Sequence, residues 1–337
     1  MSRSRATIRE VAALAGVSHQ TVSRVINGSE RVSPETRQRV EQVIDQLGYE
    51  PNAIARFMAH GRTRTFACLS PNLTDYTFAC IIESAESEAR QHGYFLLTAS
   101  APTVEDFDLL VRQLVISRRT EGLLVINPYA DERYRHLPQD FPVVFLGANS
   151  LDETIDSISL DDEVSGALAV QHLLDLGHRR IAMLTGPMRE DCSQDRQRGY
   201  QAVLQQAGIP LAPGWIQQGD WTATSGYLAM KAWLDKGLDF TALFAQNDRM
   251  AIGAMRALRE AGRSVPGDMS IIGFDDMPLA SYFDPPLTTM RQDLYAIGCQ
   301  AARRLIQSVE QPGLAPQHQR MPAELVIRAS TASPRYA

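Results

Sequence analysis

His19, Gln20, Ser23 and Arg24 are the side chains near the start of the chain whose types and spacing suit a chemical task. On a helix the four fall on one face, and each carries a hydrogen-bonding end. Gln pairs two-pronged with adenine and Arg with guanine in the DNA major groove. The chemistry offered is the reading of base edges, which requires a rigid support behind that face.

The support is legible around it. Val22, Val25 and Ile26 form the opposite, apolar face of the same helix, and Ser18 precedes it as a cap. Ile8, Val11, Ala12 and Ala15 recur at helical spacing in an earlier helix. Thr7 stands before that helix and Glu10 three residues on, the pattern of a capping box. Gly16 falls where the chain must turn out of it. Ser33 and Pro34 open a third helix whose inner residues are Val40, Val43, Ile44 and Leu47, and Gly48 ends it. Two crossed helices with a glycine turn and a polar face on the second make a helix-turn-helix. The alternative is a three-helix unit whose polar face is merely solvated. Asn27, Arg31, Ser33 and Thr36 stand where they could hold phosphates and fix register.

Charge is unevenly spread. The 337 residues carry a net charge of −6, but residues 1–64 hold ten arginines against six acidic residues, while the remainder holds 23 basic and 33 acidic residues. A cationic head on an anionic body confines attraction for phosphate to one end. No apolar run approaches a membrane span, and no hydrophobic segment follows the basic N-terminus as in a secretory signal. Cys68, Cys80, Cys192 and Cys299 are scattered, with no metal-binding spacing. These features predict a cytoplasmic chain, without cofactor or metal and with no membrane partner.

Residues 51–64 read as a short helix and a Gly/Arg/Thr linker. A helix of that length is marginal alone. Its Phe57 and Met58 either dock on the neighbouring domain, or Met58 wedges into a minor groove. From Thr65 onward, strands such as TFACLS, YFLLTAS, GLLVIN and VVFLGAN alternate with helical segments. A second series follows: RIAMLTG, the region of WIQQGD, ALFAQND and SIIGF. The fold class predicted is an all-α helix-turn-helix head plus an α/β core of two doubly wound parallel-sheet lobes with a cleft at the strands' carboxyl ends. The boundaries are 1–50 for the head and 51–64 for the hinge. The first lobe takes 65–161 with about 292–320 returning to it. The second takes 162–291 with about 321–330 returning, and 331–337 is a tail.

AGVSHQTVSRVINGSERVSPETRQRVEQVIDQLGYEPNAIAR resembles the DNA-binding head of the lactose/galactose repressor (LacI/GalR) family. LGHRRIAMLTGP, GDWTATSGY, AQNDRMAIGAMRALREAG and VPGDMSIIGFDD are similar to that family's periplasmic-binding-protein-like effector core. The resemblance spans nearly the whole chain. It implies a homodimer gripping a pseudo-palindromic double-stranded operator. His19, Gln20 and Arg24 would read bases. Thr7, Ser18, Thr21, Ser23 and Asn52 would join Asn27, Arg31, Ser33 and Thr36 at the backbone, and Ala55, Arg56 and Met58 would enter the minor groove. Where the family more often has Leu as the intercalating lever, this chain has Met58.

The resemblance also implies a small-molecule effector between the lobes, held by Phe78, Arg196, Trp221, Asn247 and Asp275. An indole stacks on the apolar face of a sugar ring, while Asp, Asn and Arg bind its hydroxyls. The expected effector is a sugar that releases the operator, with a purine-type co-repressor as the alternative. Asp248 is expected to cap the helix after Asn247. Gly147 is expected to remove a ligand contact and enlarge the pocket. The family's tetrameric members carry a leucine-heptad tail, absent here, which predicts a dimer. A sugar-binding transport protein would share the core but not the basic head, and no GxSxG, GxxxxGK[ST] or HExxH pattern supports an enzyme.

Overall fold

The computed structural model describes residues 6–26, 28–49, 62–129, 131–138, 140–147, 153–237 and 239–335. The expectations for Asn27, Asn52, Ala55, Arg56 and Met58 lie outside the described residues. The chain divides into two compact units, Met1–Thr63 and Arg64–Ala337. Among the described residues no helix is long and apolar enough to cross a membrane.

The head is three helices: α1 (Ile8–Ala15), α2 (His19–Ile26) and α3 (Pro34–Leu47). Thr7 and Glu10 form the expected capping box, with the Glu10 amide donating to Thr7 Oγ1 at 3.3 Å and the Thr7 amide to Glu10 Oε2 at 2.6 Å. Gly16 ends α1 in the left-handed region at φ 66°, open to glycine without a Cβ penalty. Val11, Ala12, Ala15, Val22, Val25, Val40 and Val43 close a small core.

In the second unit, β1 (Thr65–Ser70), β2 (Phe95–Ser100), β3 (Gly122–Asn127), β4 (Val143–Gly147), β5 (Asp156–Leu160) and β11 (His318–Met321) form one all-parallel sheet. Its order is β11-β5-β4-β3-β1-β2. The period-2 rule divides its side chains between two cores. Phe66, Cys68, Leu124, Ile126, Val144 and Leu146 face α4 (Tyr76–Gln91) and α10 (Leu294–Glu310). Ala67, Leu69, Leu123, Val125, Val143 and Phe145 face α5 (Val104–Val111) and the π-helical turn after it.

The second lobe repeats the scheme with β6 (Ile181–Thr185), β7 (Ile216–Gln218), β8 (Ala242–Ala245) and β9 (Ser270–Ile272), in the parallel order β7-β6-β8-β9. Ile181, Met183, Ala242 and Phe244 pack on α6 (Asp162–Asp175) and α7 (Asp191–Gln206). Ala182, Leu184, Leu243 and Ala245 pack on α8 (Ala223–Asp235) and α9 (Asp248–Glu260). Between lobes the chain crosses near Asp161, between β10 (Thr289–Arg291) and α10, and between β11 and β12 (Glu324–Val326). The Asp161 amide donates to Met321 O, and β10 pairs antiparallel with β12. Adjacent crossings of this kind are hinge geometry.

Candidate functional site

On α2, Val22 and Val25 are buried while His19, Gln20 and Arg24 are exposed on the other side. Ser18 caps the helix, its Oγ accepting from the Thr21 amide at 3.1 Å. Ser33 Oγ accepts from the Thr36 amide and donates to Thr36 Oγ1 at 2.9 Å, and Thr7 Oγ1 donates to Glu10 Oε2 at 3.0 Å. The hydroxyls expected at phosphates are therefore engaged first in shaping helix N-termini, whose free backbone N–H groups are themselves anion sites. Thr21 and Ser23 are half-buried, and Arg31 is exposed. Sequence reasoning missed Arg37, whose guanidinium donates to Ser29 O at 2.7 Å and Val25 O at 3.4 Å and so braces the end of the reading helix.

In the core, α7, which follows β6, and the loops after β7, β8 and β9 bring Arg196, Trp221, Asn247 and Asp275 together. Asn247, not Asp248, caps α9. Its Oδ1 accepts from the Met250 amide at 2.8 Å, and its Nδ2 donates to Trp221 O at 3.1 Å. Asp248 sits one residue inside and braces the loop instead, accepting from Thr289 Oγ1 at 2.6 Å and the Met277 amide at 2.8 Å. The expectation for Asp248 is corrected, because the cap must be the last non-helical residue, and Asn247 at φ −150° is that residue.

Arg196 is buried. Its Nε donates to Asp162 Oδ1 at 2.7 Å and its Nη1 to Gln246 O at 2.6 Å, and its guanidinium lies 3.5 Å from the Phe274 ring centroid and 5.9 Å from that of Trp221. Burial alone would pull its pKa down, but Asp162 and the other groups around it outweigh that and hold the charge. Asp275 accepts from Gln292 Nε2 at 2.8 Å. Burial pushes its carboxyl well up against the pull of Arg196, with Asp248 and Asp75 adding to the rise. Trp221, Asp275 and Asp276 hold φ values of 68°, 112° and 52°. Left-handed backbone at non-glycine residues costs energy, and such residues gather where the surrounding structure over-determines a site.

The lobes meet across this region. Asp75, which caps α4, receives Arg249 Nη2 of α9 at 2.6 Å. Tyr129 and Glu190 form an antiparallel bridge, and the Asp191 amide donates to Pro128 O at 2.9 Å. Phe78 lies in the first turn of α4, half-buried on the first lobe's core. A separate cavity of about 520 Å³, lined by Tyr76, Cys80, Ser84, Gln292 and Tyr295 among others, includes Asp275 alone of the five expected residues.

Gly147 has φ 100° at the end of β4, a left-handed conformation that favours glycine. Glu190 was missed. It is buried, and Trp221 Nε1 donates to its Oε2 at 2.8 Å. Neither residue's spacing could have revealed a pair 31 positions apart.

Residues 7–52 match the family described as bacterial regulatory proteins, lacI family, and residues 170–331 match the periplasmic binding protein-like domain. The chain is 32% identical over 328 residues to catabolite control protein A of Priestia megaterium, an alignment covering 96% of this chain and 99% of that protein. It is similar to the structure of the Lac repressor dimer bound to operator and an anti-inducer, with a TM-score of 0.90 and 33% identity over 98% of this chain and 100% of that one. It is also similar to a complex of the transcriptional regulator CelR with cellobiose, with a TM-score of 0.74 and 32% identity over 97% and 100% of the two chains.

Proposed function

The chain belongs to the lacI family of bacterial regulatory proteins, and from that premise we propose that it is a ligand-responsive, sequence-specific DNA-binding regulator, a repressor of carbohydrate-utilisation genes released from its operator by a sugar. The observation that carries the reading is the exposed row His19, Gln20 and Arg24 on a helix whose other face is buried. Such a row serves no core, and its residue types fit base edges.

The sugar is supported by Trp221, an aromatic platform beside Arg196 and Asp275, among the same kinds of group that recognise a ring's C–H face and its hydroxyls. Sugar in the cleft favours one lobe arrangement and thereby changes how the heads can engage the operator. A coupling of about 1–3 kcal/mol moves operator affinity roughly 5- to 150-fold.

The protein acts as a homodimer on a pseudo-palindrome, in the cytoplasm, and turns over no substrate. Support for pairing comes from exposed apolar side chains on each lobe. Phe95 of edge strand β2 is 70% exposed, and Tyr282 is 85% exposed beside the exposed Leu279. The test is selection of bound duplexes from a random pool, repeated with cellobiose and a panel of neutral sugars, sugar phosphates and nucleobases. Enrichment of a two-fold symmetric site that one sugar releases is the expected result. A flat pool with every compound overturns the reading.

A further inference from the structure

We infer that Glu190 ties the indole platform of the cleft to the seam between the lobes: its carboxylate positions Trp221, and its backbone is laid against Tyr129 of the opposite lobe. The inference rests on the reading of that cleft as the effector site, and names the residue through which the site senses lobe arrangement.

Glu190 stands immediately before α7, where a carboxylate ordinarily turns onto its own helix's free N–H groups. It makes no such capping bond. It is only 7% exposed, and its Oε2 accepts from Trp221 Nε1 at 2.8 Å. A carboxylate withdrawn from water and turned away from its helix requires a polar partner, and the indole N–H supplies one. Burial pushes the carboxyl up, and the indole opposes that rise.

Trp221 is held on several sides. Its backbone is at φ 68°, and its carbonyl accepts from Asn247. Its ring lies so close to Gly186 that a Cβ there would come within 2.0 Å of it. Those holds all belong to the second lobe. Glu190 alone among them also belongs to the seam, where Tyr129 and Glu190 form a bridge. Beside it the Asp191 amide donates to Pro128 O, and the Arg189 guanidinium lies 5.2 Å from the centre of the Tyr129 ring. A rotation of one lobe shears residues 128–129 against 189–191. Glu190 then either carries the indole with it or loses its bond. Platform and seam are thus two ends of one element with two arrangements, and a ligand stacked on Trp221 biases both.

The test uses the unliganded full chain. Indole N–H resonances are followed by NMR, with that of Trp221 assigned by its loss in Trp221→Phe, and seam protection is followed by hydrogen exchange of peptides spanning 128–129 and 189–191. In Glu190→Ala the indole resonance shifts upfield, and exchange at both the indole and the seam rises about tenfold or more, while Glu190→Gln, whose amide oxygen accepts the same bond, stays within about threefold of the natural chain. Exchange that rises at the indole while the seam keeps its protection overturns the proposal. So does a Gln variant that fails to restore the seam. Raised exchange throughout β1 identifies general unfolding of the Ala variant, and the Gln variant then decides. Neither DNA nor sugar enters this experiment, so its failure leaves the regulator reading standing, and failure of duplex selection leaves this result intact.

Discussion

Asp75 and Arg249 meet at 2.6 Å across the two lobes, and Asp75 does so while its other oxygen caps α4 by accepting from the amides of Thr77 and Phe78. The side chains are 17% and 36% exposed, so the pair is partly screened. Asn is as good a cap as Asp, which makes Asp75→Asn a test of the charge alone. The substitution is expected to lower unfolding stability by less than about 1 kcal/mol. It is also expected to enlarge the radius of gyration of the unliganded protein in X-ray scattering, because one of the ties across the cleft is weakened. Superimposable scattering curves would show that the pair does not restrain the lobes.

Arg24 is exposed on the base-reading face, opposite the Val22 and Val25 side of α2 that joins the head's apolar core. Arg24→Ala should cost about 1–3 kcal/mol of affinity for the selected duplex and little for random DNA. The comparison is made by titration at one fixed salt concentration, since phosphate contacts weaken with salt. Equal losses on both duplexes would remove Arg24 from base reading and leave it a phosphate contact.

A methyl group at Gly186 would fall 2.0 Å from Trp221 Cζ2. Gly186→Ala must therefore displace the indole from its place beside Glu190. The expected outcome is a changed tryptophan emission and a sugar affinity reduced by about tenfold, roughly 1.4 kcal/mol, with operator affinity unchanged. Calorimetry with the responsive sugar checks this, with Trp221→Ala as the reference. A variant that binds the sugar normally would move the platform away from Trp221.

His178 is 1% exposed and staples the C-terminal segment to the second lobe. Its Nε2 lies 2.9 Å from Ala332 O, which can only accept, so that nitrogen carries the hydrogen; Nδ1 then accepts from Thr241 Oγ1 at 2.8 Å. Burial holds its pKa below the ordinary histidine value, with Ala332 opposing and His172 adding to the fall. The unfolded chain takes up a proton near pH 6.5 that the folded state still refuses. Stability is accordingly full above that pH and falls as the pH drops from there through the lower folded value. Denaturant unfolding between pH 7.5 and 5 should show this decline in the natural chain and a shallower one in His178→Gln. Equal slopes would place the acid sensitivity elsewhere; half-buried His172, also held low, is the next group to substitute.

The helix-turn-helix was legible because its determinants are local. Caps, glycine turns and apolar faces act over three or four residues, and Thr7 with Glu10, Gly16, and Ser33 with Thr36 all appear as their spacing implies. The strand and helix rhythm was legible for the same reason. Where the apolar pattern leaves a helix start open the cap sets it: α4 begins at Tyr76 because Asp75 caps it.

The roles within the cleft were not legible. Asn247 and Asp248 are neighbours with exchangeable chemistry, and only the turn of the backbone decides which one caps and which braces the loop. The positive φ of Gly147 is likewise not visible in the amino-acid order.

By itself the amino-acid order determined a cationic three-helix reader, an anionic body of two parallel-sheet lobes, and which residue types line each, since periodicity and capping are encoded over a few residues. Tertiary structure alone decided the partnerships: Arg249 with Asp75 across 174 positions, Trp221 with Glu190 across 31, and Arg196 with Asp162 across 34. Those pairs depend on where the ends of separate strands meet in space, a quantity that no short stretch of chain contains.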